Sequence, residues 1–257
     1  MSTFIKHTAV SAALLCLGVA PGNAADIQET PIVEVQQFGG WYLRGDIGMS
    51  NQEFDGLDYA GFEGPAVHDF LDDGDFDAGI TGQIGIGYQF NDWFRADVTG
   101  QYRGKTDFSA LDIYDTDGIP GTGDEGTNDY SAKKSEWLFL ANAYADLGTY
   151  AGITPYVGAG IGASRNTISN FIDNNVITGG GGYAGSESQW ELAWALHAGV
   201  GIKATDQMTI DVGYSYLDLG DGTTGTAYNF DGSTSNEAFK FKDITSHDFT
   251  VGVRYAF

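Results

Sequence analysis

Cysteine is almost missing from this sequence: Cys16 is the single one in 257 residues. Proline is scarce, with 5, and basic residues are few, with 12 Lys+Arg against 35 Asp+Glu and a formal net charge of -23. Nowhere after the N-terminal stretch does the chain reach the run of about 18 apolar residues that a membrane helix needs. Each shortage excludes something. With one cysteine, no intramolecular disulfide can staple the fold. The acidic balance argues against nucleic acid as a partner, because phosphate binding needs the opposite sign. At 18% charged and 14% aromatic residues, the composition is too apolar for a disordered acidic chain. If the chain enters a membrane, it does so with strands.

The N-terminus predicts where the chain goes. Lys6 and His7 precede the apolar stretch from Thr8 to Ala20, and "PGNAAD" follows. A basic start, an apolar segment too short to span a bilayer, and small residues at Gly22 and Ala24 predict a signal peptide over residues 1–24. Cys16 does not mark a lipoprotein, since the bulky Leu15 stands where a small residue is required. Residues 25–38 are expected to form a short acidic periplasmic leader, and residues 39–257 one β-barrel domain.

What the chain has in quantity is alternation. In the last run, "HDFTVGVRYAF", Phe249, Val251, Val253, Tyr255 and Phe257 share one parity, and Asp248, Thr250, Gly252 and Arg254 the other. Period-two alternation marks a strand with two unlike faces. The same pattern recurs in "WYLRGDIGM", "ITGQIGIGYQF", "FRADVTGQYR", "SEWLFLANAYADLG", "PYVGAGIGAS", "QWELAWALHAGVGIK" and "MTIDVGYSY", which brings the expected strands to eight. Connections near Asn91, over 148–154 and over 205–207 are short. Stretches 51–77, 104–132, 166–188 and 218–245 are expected as long polar loops rich in Gly, Asp, Asn and Ser. Short turns on one side and long loops on the other fit an outer-membrane barrel with periplasmic turns and extracellular loops.

Alternation alone leaves open which face is outside; side-chain size decides it. The polar face carries Gly85, Gly87, Gly158, Gly160, Gly162, Gly199, Gly201, Gly213 and Gly252. A solvent-facing surface gains nothing from glycine, which costs roughly 0.5–1 kcal/mol relative to alanine within a strand. A narrow lumen does need small residues between large ones. The apolar face carries aromatics near strand ends: Phe90, Trp93, Phe94 and Phe257 by the turns, and Tyr102, Trp137, Trp190, Tyr216 and Phe249 by the loops. These are two aromatic girdles, so the apolar face is predicted to meet lipid.

The signal peptide, "GWYLRGDIG", "TPYVGAGIG" and the terminal "VGVRYAF" resemble the small OmpA/OmpX-type transmembrane barrels, and most of all the alphaproteobacterial opacity-protein-like outer-membrane proteins. The resemblance implies an all-β fold, an eight-stranded antiparallel barrel in the outer membrane of a Gram-negative bacterium. It also implies that Tyr255 and Phe257 act as a C-terminal signal to the barrel-assembly machinery, and that lipid and lipopolysaccharide are the surroundings. A monomer is expected.

The predicted lumen face gathers Arg44, Asp46, Arg95, Asp97, Arg103, Glu136, Glu191, His197, Lys203, Asp211, Asp248 and Arg254. The near balance of signs favours a filled interior of ion pairs over a conducting pore, since unpaired charge in a confined interior is costly. His197 near Glu191 and Asp211, and Ser246-His247-Asp248, hint at acid–base chemistry. Adjacent strand residues face opposite ways, however, so no catalytic set is expected. "DTDGIPGTGDE" falls short of a calcium loop, because Ile113 would occupy the first ligand position. No resident metal or cofactor is expected; weak Ca²⁺ or Mg²⁺ binding at the acidic loops stays open. The expected role is a non-enzymatic barrel that supports envelope integrity and displays acidic loops, with a narrow passive pore or a host-contact adhesin as alternatives.

Overall fold

Eight long antiparallel strands follow one another along the chain in a computed structural model that describes residues 39–59, 67–115, 125–177, 179–234 and 237–257. They are β1 (Gly40–Glu53), β2 (Gly79–Gln89), β3 (Phe94–Asp115), β4 (Glu125–Asp146), β5 (Ile153–Asn175), β6 (Glu187–Lys203), β7 (Met208–Asp218) and β8 (Thr245–Ala256). Each pairs with its sequence neighbours, and β8 returns to β1 with Tyr42 opposite Ala256 and Ile47 opposite Val251. The ring is therefore closed, and the terminal strand has partners on both sides. The expected signal peptide and leader lie outside the described residues, as does most of the "DTDGIPGTGDE" stretch.

The turns at the periplasmic end are tight and locally encoded. Asn91 Oδ1 accepts from the backbone N–H of Trp93 at 3.1 Å and of Phe94 at 2.8 Å, which closes the first. Thr205 Oγ1 accepts from Met208 N–H at 2.9 Å in the third. In the second, Gly148 and Gly152 take φ of 93° and 81°, a region that favours glycine.

The outward face at membrane level is apolar. Ile47 is 73% exposed, Ile80 76%, Ile84 74% and Leu192 68%. A water-soluble fold does not leave such a continuous belt bare; lipid covers it, and closure of the ring satisfies the backbone without edges. Trp41, Phe90, Trp93 and Phe257 are exposed at the turn end, and Tyr102, Trp137, Trp190 and Phe249 at the other.

The expected long loops need correction. Spanning the bilayer takes about 9–11 residues per strand, yet β3 and β4 have 22 each and β5 has 23. These strands rise well past the outer girdle, and there the polarity inverts. Outward lie Asp107, Ser109, Asp129, Ser131 and Lys133; inward lie Phe108, Ala110, Tyr130 and Ala132. A further strand, Val67–Phe76, pairs with β3. Gly181–Ala184 pairs with β5 and with Ala227–Asn229. Gly56–Asp58, Lys240–Lys242 and Gly222–Thr223 form a small separate sheet.

Inside this extension is a closed aromatic core. Phe54, Phe76, Phe108 and Phe241 pack with ring centroids 4.9–5.7 Å apart. Phe239 stacks on Phe171 and on Tyr59 at 4.2 Å, with Ile168, Leu219 and Ile244 fully buried around them. Burying each such side chain contributes roughly 1.5–3 kcal/mol, enough to make the extension a folded cap.

One group in the cap works against it. Burial, and then the charge of Asp112, push the Asp173 carboxyl up to about 6 from its ordinary 3.8, and its Oδ1 has no hydrogen-bond partner. The folded state thus holds this proton more tightly than the unfolded chain does. The group's contribution to stability is full below pH about 4 and is lost as pH rises through about 6. Asp173→Asn should therefore raise resistance to urea at pH 7, with the gap to the parent protein closing at pH 4. Parallel unfolding curves at the two pH values check this; an equal gap at both would count against it.

Candidate functional site

The membrane-level lumen is built from the inward parity of all eight strands, and small residues make room for large ones. A Cβ on Gly85 would stand 3.1 Å from Arg44 Cγ, and one on Gly199 would meet the Tyr156 hydroxyl at 2.5 Å. A Cβ on Gly87 would strike the Tyr42 ring, and one on Gly252 the Asp46 carboxylate. The glycines are the space into which the charged and tyrosine side chains lean.

Nearest the periplasm, Arg95 Nε binds Asp146 at 3.1 Å. Its guanidinium lies 4.0 and 4.7 Å from the ring centres of Tyr144 and Tyr156, where cation–π attraction offsets part of its desolvation. Arg254 pairs with Asp211 at 3.3 Å. At the next level Arg44 reaches Asp46 at 2.8 Å, Asp97 at 3.2 Å and the Tyr144 hydroxyl at 3.0 Å. Tyr42 donates to Asp97 at 3.0 Å, and Asn142 Nδ2 donates to the same carboxylate at 2.8 Å. Asn142 thereby turns its Oδ1 toward His197 Nε2 at 3.1 Å, while Ser215 meets His197 Nδ1 at 2.8 Å. That arrangement makes Nε2 the proton carrier and the Ser215 hydroxyl a donor to Nδ1.

The level beneath the cap is the most densely charged. Arg103 clasps Asp248 at 2.5 and 2.9 Å, takes Ser246 Oγ at 2.5 Å, and stands 2.8 Å from Glu136 in an ion pair too bent to be a hydrogen bond. Lys134 pairs with Glu136 and donates to Gln52 Oε1 at 2.9 Å. Arg103, Lys134, Glu136, Ser246 and Asp248 are all buried. Lys134 Nζ also sits 5.8 Å from the Phe76 ring centre, which joins the charged layer to the aromatic cap.

Not every expected lumen residue is in this network. Lys203 has the inward parity but stands at the rim, half exposed, and pairs with Asp206 in the turn. Glu191 accepts from Gln189 and meets no cation among the described residues. In place of Glu191, the network uses Lys134 and Asp146 together with Gln52, Gln83 and Gln101. His197 contacts neither Glu191 nor Asp211, and His247 turns outward to Tyr214 at 2.6 Å while Ser246 bonds Asp248 at 2.6 Å. No group of three or more His, Cys, Asp or Glu able to hold a metal ion occurs among the described residues.

A cavity of about 30 Å³ remains beside Arg44, Tyr144, His197 and Ser215, room for one or two water molecules.

A closed eight-stranded ring with a lipid-facing belt and a polar lumen is the architecture that comparison with known families bears on directly. The family model for the outer membrane protein beta-barrel domain matches residues 12–257. The chain belongs to that family of outer-membrane β-barrels. An uncharacterised protein of Brucella abortus is 32% identical over 289 residues, covering 98% of this chain and 100% of its own. A Rickettsia bellii protein named as a candidate adhesin is 30% identical over 222 residues, covering 84% of this chain and 87% of its own. Among solved structures, OprG from Pseudomonas aeruginosa aligns with a TM-score of 0.50 at 14% identity, covering 86% of this chain and 96% of that one. This outer-membrane barrel therefore resides in the bilayer of the Gram-negative outer membrane.

Proposed function

We propose that this barrel is a sealed, non-enzymatic element of the outer membrane that supports envelope integrity and presents a folded acidic cap to the exterior. The observation that carries the reading is the two-layer closure: paired buried charges fill the lumen at membrane level, and an aromatic core closes it above. Charges paired this way tie the walls together across the lumen and crowd its interior. Phe257, whose N–H donates to Trp41 O at 3.1 Å, and Tyr255 stand exposed at the β1–β8 seam. A terminal aromatic signal to the barrel-assembly machinery would be read there before the ring closes.

Host contact is the second reading, and the cap favours it over a pore. Its exterior carries Asp69, Asp72, Asp75, Asp107 and Asp129, interrupted by exposed Ile172, Val176 and Tyr183. A folded projecting surface of that kind suits contact better than transport, and the Rickettsia relative is named for such a role. Cells lacking the protein should become more sensitive to detergent while their uptake of small hydrophilic solutes is unchanged. Slower solute uptake with normal detergent resistance would favour a pore.

A further inference from the structure

We propose that the outer wall of β4, β5 and β6 carries a binding site for the phosphate of an outer-leaflet lipid, the lipid anchor of lipopolysaccharide, with Arg165 as its cation. Arg165 stands outside the barrel, exposed, in register between Trp137 on β4 and Trp190 on β6. Together with Phe139 these side chains line one hollow on the lipid-facing wall. Most cations of the barrel are spent elsewhere. Arg44, Arg95, Arg103, Lys134 and Arg254 are paired in the lumen, and Lys133 and Lys203 have carboxylate partners at the surface. Arg165 has none among the described residues.

Its height is the second argument. Below it the outward residues are apolar, Phe139, Ile161 and Leu192; above it comes a row of hydroxyls, Ser135 opposite Thr167 opposite Ser188. Thr167 and Ser188 lie 2.9 Å apart. The guanidinium thus marks the boundary where acyl chains end and headgroups begin. It offers a planar fork of donors to a phosphate, with hydroxyls to take further oxygens. Two tryptophans at the same level suit the sugar and chain surfaces of an amphipathic ligand. A chain of net charge -23 repels anions over most of its exterior, so an unpaired arginine in this frame selects for one. A soluble phosphate would have no use for the apolar floor.

The folded protein in uncharged detergent micelles is titrated with diphosphoryl lipid A, with the same lipid stripped of its phosphates, and with inorganic phosphate, and bound lipid is counted by native mass spectrometry. The parent protein should prefer the phosphorylated lipid by about ten- to hundredfold, the range of a charge-assisted bond, and should bind inorganic phosphate far more weakly. Arg165→Met should erase that preference, Arg165→Lys should keep part of it, and Thr167→Val should reduce it. Lys203→Met, at the opposite rim, should leave it unchanged. Arg165 faces outward and its replacement leaves the core intact, so unboiled gel mobility should confirm folded barrels throughout. Equal binding of both lipids by the parent protein, undiminished preference in Arg165→Met, or inorganic phosphate bound as tightly as lipid would each overturn the proposal. None of these readouts depends on whether the lumen conducts, so the sealed-barrel reading stands or falls separately.

Discussion

Replacing Arg103 with methionine should destabilise the barrel by roughly 3–5 kcal/mol, the cost of breaking a buried pair from one side. Arg103 joins three strands, since it starts on β3 and binds Glu136 on β4 and Asp248 on β8. Methionine fills much of the volume but leaves both carboxylates short of a cation. Glu136 keeps Lys134, and Asp248 keeps the Ser246 hydroxyl. Asp248 is thus the more exposed to the loss, and the cost should sit toward the lower end of the range. Adding Asp248→Asn to Arg103→Met should recover part of the stability, because the stranded charge is then gone. Urea unfolding in lipid vesicles measures both variants. A single variant as stable as the parent protein would mean that the lumen charges are solvated rather than sealed in.

Val253→Arg should cost about 2–4 kcal/mol by a different route, exposure of a charge to hydrocarbon. Val253 is the middle of the outward set Phe249, Val251, Val253, Tyr255 and Phe257, and it stands between Gly45 on β1 and Ile210 on β7. Among the described residues no carboxylate faces that side of the barrel beside Val253, so no second substitution in the lumen should rescue it. The contrast between the variants is the informative result. Arg103→Met is repaired from within and Val253→Arg is not. If Val253→Arg unfolded at the parent protein's urea concentration, the lipid-facing assignment of that parity would be wrong.

Faces were legible in the sequence; heights were not. Alternation separated Trp41, Leu43, Ile47 and Met49 from Tyr42, Arg44 and Asp46, and the structure shows the first group outward and the second inward. Parity says nothing of depth, however. Lys203 shares its parity with the lumen residues of β6 yet lies past the rim, where Asp206 takes it. Arg165 continues the outward series Val157, Ala159, Ile161 and Ala163, but it stands one residue beyond the alternating run that ends at Ser164, where a charge breaks the apolar pattern. Lys134 and Asp146 carry the inward parity of β4, one at its upper end beneath the cap and the other at its periplasmic end.

The cap was hidden for a physical reason. Above the membrane the solvent changes from lipid to water, so the outward face becomes polar and the inward face apolar without any change of period. Register shifts then move the parity itself on β3, between Arg103 and Thr106, and on β5, between Ser169 and Ile172, where Asn170 takes φ 53°, while β4 keeps its parity from Tyr130 to Leu140. A stretch such as 104–132, rich in Asp, Gly and Ser, therefore reads as loop although its aromatics build a core. Phe108, Tyr130, Phe171 and Phe239 come together only through pairings between distant parts of the chain, which no local pattern announces.

Planar-bilayer conductance of the folded protein tests the central claim, a lumen closed by paired charges and an aromatic cap. The account predicts a silent bilayer for the parent protein at either polarity. Stepwise current should appear only when both layers are opened, as in Arg103→Ala combined with Phe171→Ala. Regular steps of one unitary size from the unaltered protein would contradict it.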